Sequence, residues 1–200
     1  MPWNLLPWEA AVYGTGTDLY HLLQWFFAYS ILGWIVESIY MSLCAGHWVN
    51  RGFIFGPICP IYGFGALGVY YLLQPFEGNA LVLYFAGAIL ATTFEFLVAH
   101  LMQHFFGEVW WDYHDKPFNY RGIICLESTL AWGVYTVVMF YFLQRGIAYV
   151  TDLYPKWLGY RLCAALILYY LADFGAHVLF ARHPEAPEKA REFRKRIINR

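Results

Sequence analysis

Long runs of apolar residues, separated by short polar stretches, make up most of this chain. A helix that crosses a bilayer needs about 20 mostly apolar residues. Four windows meet that requirement: Leu19 to Cys44, Leu81 to Phe106, Leu126 to Leu143 and Trp157 to Ala181. The pattern therefore predicts an all-α fold, a polytopic membrane helical bundle.

A fifth apolar window, Pro57 to Leu73, is shorter and contains several helix-breaking residues: Pro60, Gly63, Gly65 and Gly68. Its first residues, GPICP, cannot form regular helix because proline lacks a backbone donor and clashes with the preceding turn. We expect Gly52 to Pro60 to form a re-entrant or interfacial loop that leads into a short helix, since such backbone survives at membrane depth only where protein or water satisfies it. About five transmembrane helices are predicted.

Composition agrees with a membrane location. Hydrophobic residues make up 60% of the chain and charged residues only 14%, whereas soluble domains have about 25% charged residues. We divide the chain into an interfacial N-terminal segment (1–18), a transmembrane bundle (19–181) and a basic cytoplasmic tail (182–200). The expected location is the cell (plasma) membrane, crossed several times, with lipids as partners and no nucleic acid.

Positive charge predicts the orientation of the bundle. With five crossings, the loop containing Arg51, the loop containing Lys116 and Arg121, and the tail all lie on one side. That side holds ten of the thirteen Lys and Arg residues. Because cytoplasmic loops are enriched in Lys and Arg, the N-terminus is predicted outside and the C-terminus inside.

Two stretches of the chain resemble each other weakly. Glu37 is followed by VNRGFI and then by GVY at Gly68 to Tyr70, and Glu95 is followed by NYRGII and then by GVY at Gly133 to Tyr135. If both are helical hairpins, they form a parallel repeat of the kind that transporters use, with sites at the repeat interface. Chance matches in apolar sequence are the alternative.

Acidic residues inside the predicted helices are the main functional signal: Glu37, Glu95, Glu127 and Asp173. A charge at the bilayer centre costs at least about 2.5 kcal/mol. These acids either line a path for an ion, a proton or a substrate, or they are protonated or paired and hold the bundle together. His177 follows Asp173 by four residues, on the same helix face, which suits proton relay or simple mutual hydrogen bonding.

Other polar residues permit weaker hypotheses. His100, His104 and Glu108 recur every four residues, as metal ligands on one helix face could, although interfacial histidines are the simpler interpretation. Arg51 and Arg121 could pair with Asp112 or Asp115, bind the helix acids, or bind a phosphate headgroup. Four cysteines without a CxxC pair read as packed thiols. We predict no cofactor and no catalytic residue.

Several stretches together resemble a family of small multi-pass bacterial proteins described as putative ABC-transporter type IV. They are GWIVESIY (Gly33 to Tyr40), NRGFIFGPICPIYGFGAL (Asn50 to Leu67), FEFLVAHL and WWDYHDKPFNYRGIICLE. The resemblance covers about Ala28 to Gly133 and leaves the fifth helix and the tail outside.

The resemblance implies that the chain is a transport protein of the bacterial inner membrane. It also singles out two groups of residues. The first group is Glu37, Asn50, Arg51, Gly52, Gly56, Pro57, Pro60, Tyr62 and Gly63. The second group is Glu95, Trp111, Asp112, Tyr113, Asn119, Gly122 and Glu127.

The leading hypothesis is a permease-like component of a transport system, in which Glu37 and Glu95 line a polar pathway and the inner loops couple to a partner. The sequence contains no GxxxxGK[ST] motif, so an ATPase would be a separate chain. Five short helices make a thin wall, which also favours a homo-oligomer. The alternatives are a membrane-embedded enzyme that acts on a lipid-linked phosphate at the cytoplasmic face, and a non-catalytic scaffold.

Overall fold

The computed structural model describes residues 17–51, 56–107, 109 and 111–180, without the side chains of Phe106 and of residues 177–180. Most of the expected interfacial segment, the expected basic tail and part of the Gly52 to Pro60 loop lie outside the described residues.

Helices account for most of the described chain, as the apolar windows predict. They are α1 (Leu19–Ala45), α2 (Pro60–Leu73), α3 (Ala80–Phe106), α4 (Leu126–Val138), α5 (Gln144–Asp152) and α6 (Lys156–Phe180). A 3₁₀ turn, Gln74–Phe76, follows α2, and a π-helical segment, Met139–Leu143, joins α4 to α5. Two short strands, β1 (Asn119–Tyr120) and β2 (Ile124–Cys125), pair antiparallel between α3 and α4.

Three helices among the described residues are long and apolar enough to cross a membrane: Leu19–Ala45, Ala80–Phe105 and Leu126–Asp152. The chain is thus a helical membrane protein. The third of these segments runs through α4, the π-helical segment and α5, so it continues beyond the Leu143 boundary predicted from hydropathy. By contrast, α2 has only 14 residues and is about 21 Å long, less than the hydrocarbon thickness of about 30 Å.

Helix ends follow local capping chemistry. The Asp18 side chain accepts from His21 N at the start of α1, and Asn79 accepts from Leu81 N and Val82 N at the start of α3. Gly46 (φ 70°) and Gly107 (φ 78°) end α1 and α3 in the left-handed conformation that glycine adopts without a steric penalty. Pro60 is the first residue of α2, where its missing N–H costs nothing.

The chain divides into two compact units. The first unit comprises Met1–Tyr71 with Gln144–Gly175, and the second comprises Leu72–Leu143 with Ala176–Arg200. The boundary at Leu143 immediately follows the π-helical segment, an irregularity that often accompanies function in helices. Glu37 belongs to the first unit and Glu95 to the second.

In the first unit, buried polar side chains tie α1 to α5. The Tyr20 hydroxyl donates to Thr151 O (2.9 Å), and the Tyr29 hydroxyl donates to Gln144 Oε1 (2.8 Å). On α6, Gly159 lies against the Tyr20 ring, where any side chain would collide. Two hydrogen bonds from buried tyrosines and a close glycine contact therefore stabilise the helix packing, since apolar burial drives helix association little in lipid.

In the second unit, α3 packs against α4 through small and hydroxylated residues. Gly87 on α3 faces Thr136, and Gly133 on α4 faces Tyr84. The Thr92 hydroxyl donates to Thr129 Oγ1 (3.0 Å). These residues allow the two helix backbones to approach closely.

The charged cluster of Asp18, His21 and Lys156 at the start of α1 should make the free energy of unfolding depend on pH. Lys156 Nζ donates to Asp18 Oδ2 at 2.7 Å. Burial raises the pKa of the Asp18 carboxyl, but hydrogen bonds from Lys156 and His21 outweigh burial and lower that pKa below its ordinary value of 3.8. Because the folded-state pKa is the lower one, this stabilisation is present above pH 3.8 and is lost as the pH falls through the folded value.

We therefore expect thermal stability in detergent to decrease below pH 3.8 by about 1 kcal/mol from this group. The Asp18→Asn variant keeps a capping side chain but cannot titrate, so it should lose less stability over the same range. Equal pH profiles for the two proteins would contradict this role of Asp18.

Candidate functional site

Glu37 lies in the C-terminal part of α1, eight residues before its end at Ala45, or about 12 Å along the axis. Its Oε1 accepts a hydrogen bond from Arg51 Nε at 2.9 Å, and its Oε2 accepts one from the Tyr62 hydroxyl. The Glu37 and Arg51 side chains are each 25% exposed. This is a partly accessible ion pair within a helix of membrane-spanning length.

The loop after α1 folds back along the helix and so brings Arg51 to Glu37. Val49 N donates to Ser42 Oγ (2.9 Å), and Arg51 N donates to Ser38 Oγ (3.2 Å). The Trp34 indole N–H donates to Asn50 Oδ1 (2.9 Å). Asn50 therefore positions the loop, while Arg51 supplies the charge.

Close packing of α2 on α1 places Tyr62. A Cβ at Gly33 would lie 2.5 Å from Tyr62 Cβ, so only glycine leaves room for that ring. A Cβ at Gly63 would lie 2.7 Å from the carbonyl oxygen of Phe26. Cys59 N also donates to Ser30 O (3.1 Å), which fixes the residues just before α2.

Asp173 on α6 binds the backbone of the same loop. Its Oδ2 accepts a hydrogen bond from Gly56 N at 2.7 Å. Pro57 is exposed and Pro60 is half-buried; Gly52 and the His177 side chain lie outside what the structure describes. Asp173 thus holds the loop that precedes α2.

Glu95 on α3 has a different environment. It is 8% exposed, and it accepts from the Tyr113 hydroxyl (2.9 Å), from Trp132 Nε1 (3.1 Å) and from Ser128 Oγ (3.4 Å). All three donors are neutral. Within the described part of the chain, no Lys or Arg pairs with this carboxyl.

Tyr113 belongs to a hairpin, residues 111–125, whose shape the aromatic and amide residues determine. Tyr113 N donates to Gly122 O (2.9 Å), and the Trp111 indole N–H donates to Ile123 O (2.7 Å). Asn119 Nδ2 donates to Lys116 O (2.8 Å), and Asn119 Oδ1 accepts from Gly122 N (3.1 Å). Trp111 and Asn119 therefore hold the hairpin in one conformation, which presents Tyr113 to Glu95.

Charged groups of the hairpin lie outside the helices. Hydrogen bonds from the His114 backbone and ring lower the pKa of the Asp112 carboxyl. Burial, followed by the nearby Glu95 carboxyl, raises the pKa of the Tyr113 hydroxyl, so Tyr113 keeps its proton and donates a hydrogen bond to Glu95.

Two other candidates are not in the Glu95 cluster. Glu127 is exposed and pairs with Lys116 Nζ (2.9 Å), and the Arg121 guanidinium lies 5.5 Å from the centre of the Tyr120 ring. Glu127 therefore marks the start of α4 at the surface.

The histidines of α3 do not assemble with further ligands in the described chain. The His100 ring donates through Nδ1 to Phe96 O (2.9 Å), and His104 is exposed. Glu108 lies outside the described residues. No group of three or more His, Cys, Asp or Glu residues suited to a metal ion occurs among those described.

The two acid clusters share a local plan. An aromatic residue eleven positions after the loop arginine donates to the helix acid: Tyr62 after Arg51, and Trp132 after Arg121. In both clusters a glycine follows this aromatic residue. A Cβ added at Gly63 would lie 2.7 Å from the Phe26 carbonyl oxygen, and one added at Gly133 would lie 2.8 Å from the Tyr84 carbonyl oxygen. Each of these carbonyls belongs to the residue eleven positions before the acid.

This correspondence replaces the GVY match. Gly133 is packed against Tyr84, but Gly68 has no atom within 4 Å of an added Cβ, so the two GVY segments differ in environment. Trp132 and Ser128 were missed as partners of Glu95, although the equal spacing from Arg51 and Arg121 would have indicated Trp132.

The comparisons with known proteins extend the family resemblance. The model of a family described as putative ABC-transporter type IV matches residues 24–178. That range includes α5 and most of α6, so the expectation that the resemblance ends near Gly133 is wrong. No curated protein and no solved structure matches the chain significantly.

Proposed function

Because the chain belongs to the putative ABC-transporter type IV family, we propose that it is the permease-like membrane component of a transport system, with Glu37 and Glu95 on its polar pathway. The observation that carries this proposal is the partly exposed Glu37–Arg51 pair, held by Tyr62 within a helix long enough to span the membrane. Partial exposure lowers the desolvation cost of the two charges and leaves the carboxylate within reach of a second ligand.

The pair can change state without large rearrangement. Each side chain is 25% exposed, so a cation, a proton or a polar substrate can compete with Arg51 for the carboxylate. Arg51 lies in a loop that is held to α1 by hydrogen bonds, which the side-chain oxygens of Ser38, Ser42 and Asn50 accept. Displacement of this loop would separate the charges and open the site.

Glu95 has a complementary role in this proposal. The hairpin of residues 111–125 reaches α3 through the Tyr113–Glu95 hydrogen bond of 2.9 Å. A partner that moves the hairpin would therefore change the hydrogen bonds of a carboxyl within the helix. In this way the loop couples events at the membrane surface to the pathway.

The surrounding arrangement is part of the same proposal. We place five crossings in the plasma membrane, bacterial in origin, with the N-terminus outside, so that both arginine loops face the cytoplasm. In this arrangement α2 crosses together with the 3₁₀ turn Gln74–Phe76, which lengthens it by about 6 Å. If ATP drives the transport, the ATPase is a separate chain, since the sequence lacks a P-loop. A homo-oligomer would complete the wall around the pathway.

Ion flux into proteoliposomes tests the proposal. We expect vesicles that contain the chain to take up protons or small monovalent cations, recorded with pyranine and ion-sensitive dyes, alone or with ATP and a co-purified ATPase. The Glu37→Gln and Glu95→Gln variants should lose most of that flux because the carboxylates are neutralised. The surface variant Glu127→Gln is the matched control and should keep it.

Equal flux for the wild type, Glu37→Gln and protein-free vesicles under every condition would contradict the permease role. Flux that Glu127→Gln abolishes as fully as Glu37→Gln would instead contradict the assignment of the pathway to the helix acids.

A further inference from the structure

The tip of the hairpin exposes large side chains in an unusual backbone conformation. Phe118 has φ 54° and Arg121 has φ 53°, a left-handed region that bulky residues rarely occupy. Phe118 is 83% exposed and Tyr120 is 51% exposed. Asn119 holds the turn between them through hydrogen bonds with Lys116 O and Gly122 N, so the tip is built to direct these side chains outward.

Contacts with α3 give the depth of this tip. The Tyr120 ring lies 6.2 Å from the Phe96 ring, centre to centre. From Ala80 to Ala99, α3 is almost entirely apolar, and the exposed polar residues His100, Gln103 and His104 follow. Those 20 residues span about 30 Å, the thickness of the hydrocarbon core. Phe96 therefore lies about one turn inside the boundary with the headgroups.

The Arg121 guanidinium at the tip can bind an anion that does not belong to the chain. Arg121 makes no ion pair with the described residues; its guanidinium lies over the Tyr120 ring at 5.5 Å. The carboxylates of Asp112 and Glu127 are already bound by His114 and Lys116. Guanidinium groups bind phosphate with two parallel hydrogen bonds, and aromatic rings concentrate at the membrane interface.

We propose that Phe118, Tyr120 and Arg121 form a binding site for the headgroup of an anionic phospholipid. Arg121 binds the lipid phosphate, and the two rings lie at the level of the glycerol backbone. The site fixes the hairpin at the membrane surface. The lipid site depends on the position of α3 in the bilayer. It does not depend on whether Glu37 and Glu95 conduct ions.

The depth of the tip is measured with a fluorophore. Cys44 and Cys59 are replaced by serine, while the buried Cys125 and Cys163 are kept. Phe118→Cys or Asp115→Cys is then labelled with NBD in nanodiscs that contain phosphatidylglycerol. We expect the label at 118 to emit at shorter wavelength and to be quenched by nitroxide at the fifth acyl carbon. The label at 115 should be quenched by an aqueous nickel chelate. Aqueous quenching of both labels to the same degree would overturn the proposal.

Headgroup binding is measured by retention of phosphatidylglycerol in native mass spectrometry. Arg121→Gln should weaken retention about fivefold, the effect of one interfacial charge. Arg161, which lies 5.0 Å from the Trp157 ring, gives the matched control, and Arg161→Gln should retain more lipid than Arg121→Gln. Equal losses in both variants would overturn the site.

Two further results would also overturn it. Inorganic phosphate that displaces the lipid at equal concentration would identify a free-phosphate site. A label at 118 that is shielded from water only after membrane extract is added would identify a protein partner.

Discussion

Adding one methyl group to Gly63 or Gly133 should destabilise the protein, whereas adding it to Gly68 or Gly146 should not. At Gly63 and Gly133 the new Cβ would lie 2.7 and 2.8 Å from backbone carbonyl oxygens of Phe26 and Tyr84. Backbone cannot move aside as a flexible side chain can, so the helices must separate. Overpacking of this kind costs about 1–3 kcal/mol, and we expect Gly63→Ala and Gly133→Ala at the upper end.

The two control positions are also glycines within helices. Gly68 on α2 and Gly146 on α5 have no atom within 4 Å of an added Cβ. Alanine there gains up to about 1 kcal/mol from helix propensity, so the sign of the effect should reverse. Melting temperatures of the four variants in one detergent decide the matter. Similar shifts at all four positions would contradict the close helix contacts.

Removal of the Arg51 charge should be the second severe change. The Arg51→Gln variant leaves Glu37 charged within a membrane-spanning helix, with Tyr62 as its remaining described partner. An uncompensated charge in such a place costs at least about 2 kcal/mol. We therefore expect a lower melting temperature and lower yield. Neutralising both residues, in Glu37→Gln with Arg51→Gln, should recover most of the loss, because no charge is then left unpaired.

The Lys116–Glu127 pair provides the comparison. Its side chains are 41% and 62% exposed, and exposed pairs contribute about 0–1 kcal/mol. Lys116→Gln should therefore change stability little. If Arg51→Gln proves equally mild, or if the double variant is no better than the single one, then Arg51 does not compensate Glu37.

The sequence predicted the features that depend on local pattern. Apolar windows located the long helices, and the two prolines of GPICP predicted the non-helical residues before α2. The sequence also predicts that the two N…RG loops are functionally important, because their charge and glycine content differ from the helices around them. Arg51 was considered as a partner of a helix acid, and the structure pairs it with Glu37 at 2.9 Å.

Long-range contacts were beyond the sequence pattern. The Asp173 carboxylate binds Gly56 N, which is 117 residues away, whereas the sequence pattern offers only its helical neighbour His177, whose side chain lies outside the described residues. Trp132 meets Glu95 only because Gly87 and Gly133 let α3 and α4 pack closely. No helical period encodes such a contact. The continuation of α4 into α5 was missed because Gln144 and Arg145 resemble the start of a loop.

The spacing from arginine to aromatic residue is one long-range feature that the sequence does encode. The distances Arg51 to Tyr62 and Arg121 to Trp132 are equal, and both aromatic residues donate to helix acids. The part of the hairpin that precedes Arg121 conceals the match, because it lengthens the interval from the acid to the arginine. The match becomes visible when the two segments are aligned at Arg51 and Arg121 instead of at Glu37 and Glu95.

Water access at position 37 tests the central claim most directly. Cys44 and Cys59 are replaced by serine, the buried Cys125 and Cys163 are kept, and one new cysteine at a time is introduced as Glu37→Cys, Val36→Cys or Ser30→Cys, all on α1. Val36 is 59% exposed on the apolar surface of the helix, and Ser30 is fully buried. Each variant in sealed vesicles is treated with a charged, membrane-impermeant thiosulfonate. A pathway through the Glu37 site predicts that only the cysteine at 37 reacts readily, because the reagent needs water to reach the thiol. A cysteine at 37 as unreactive as those at 36 and 30 would contradict the account and leave the Glu37–Arg51 pair a structural contact.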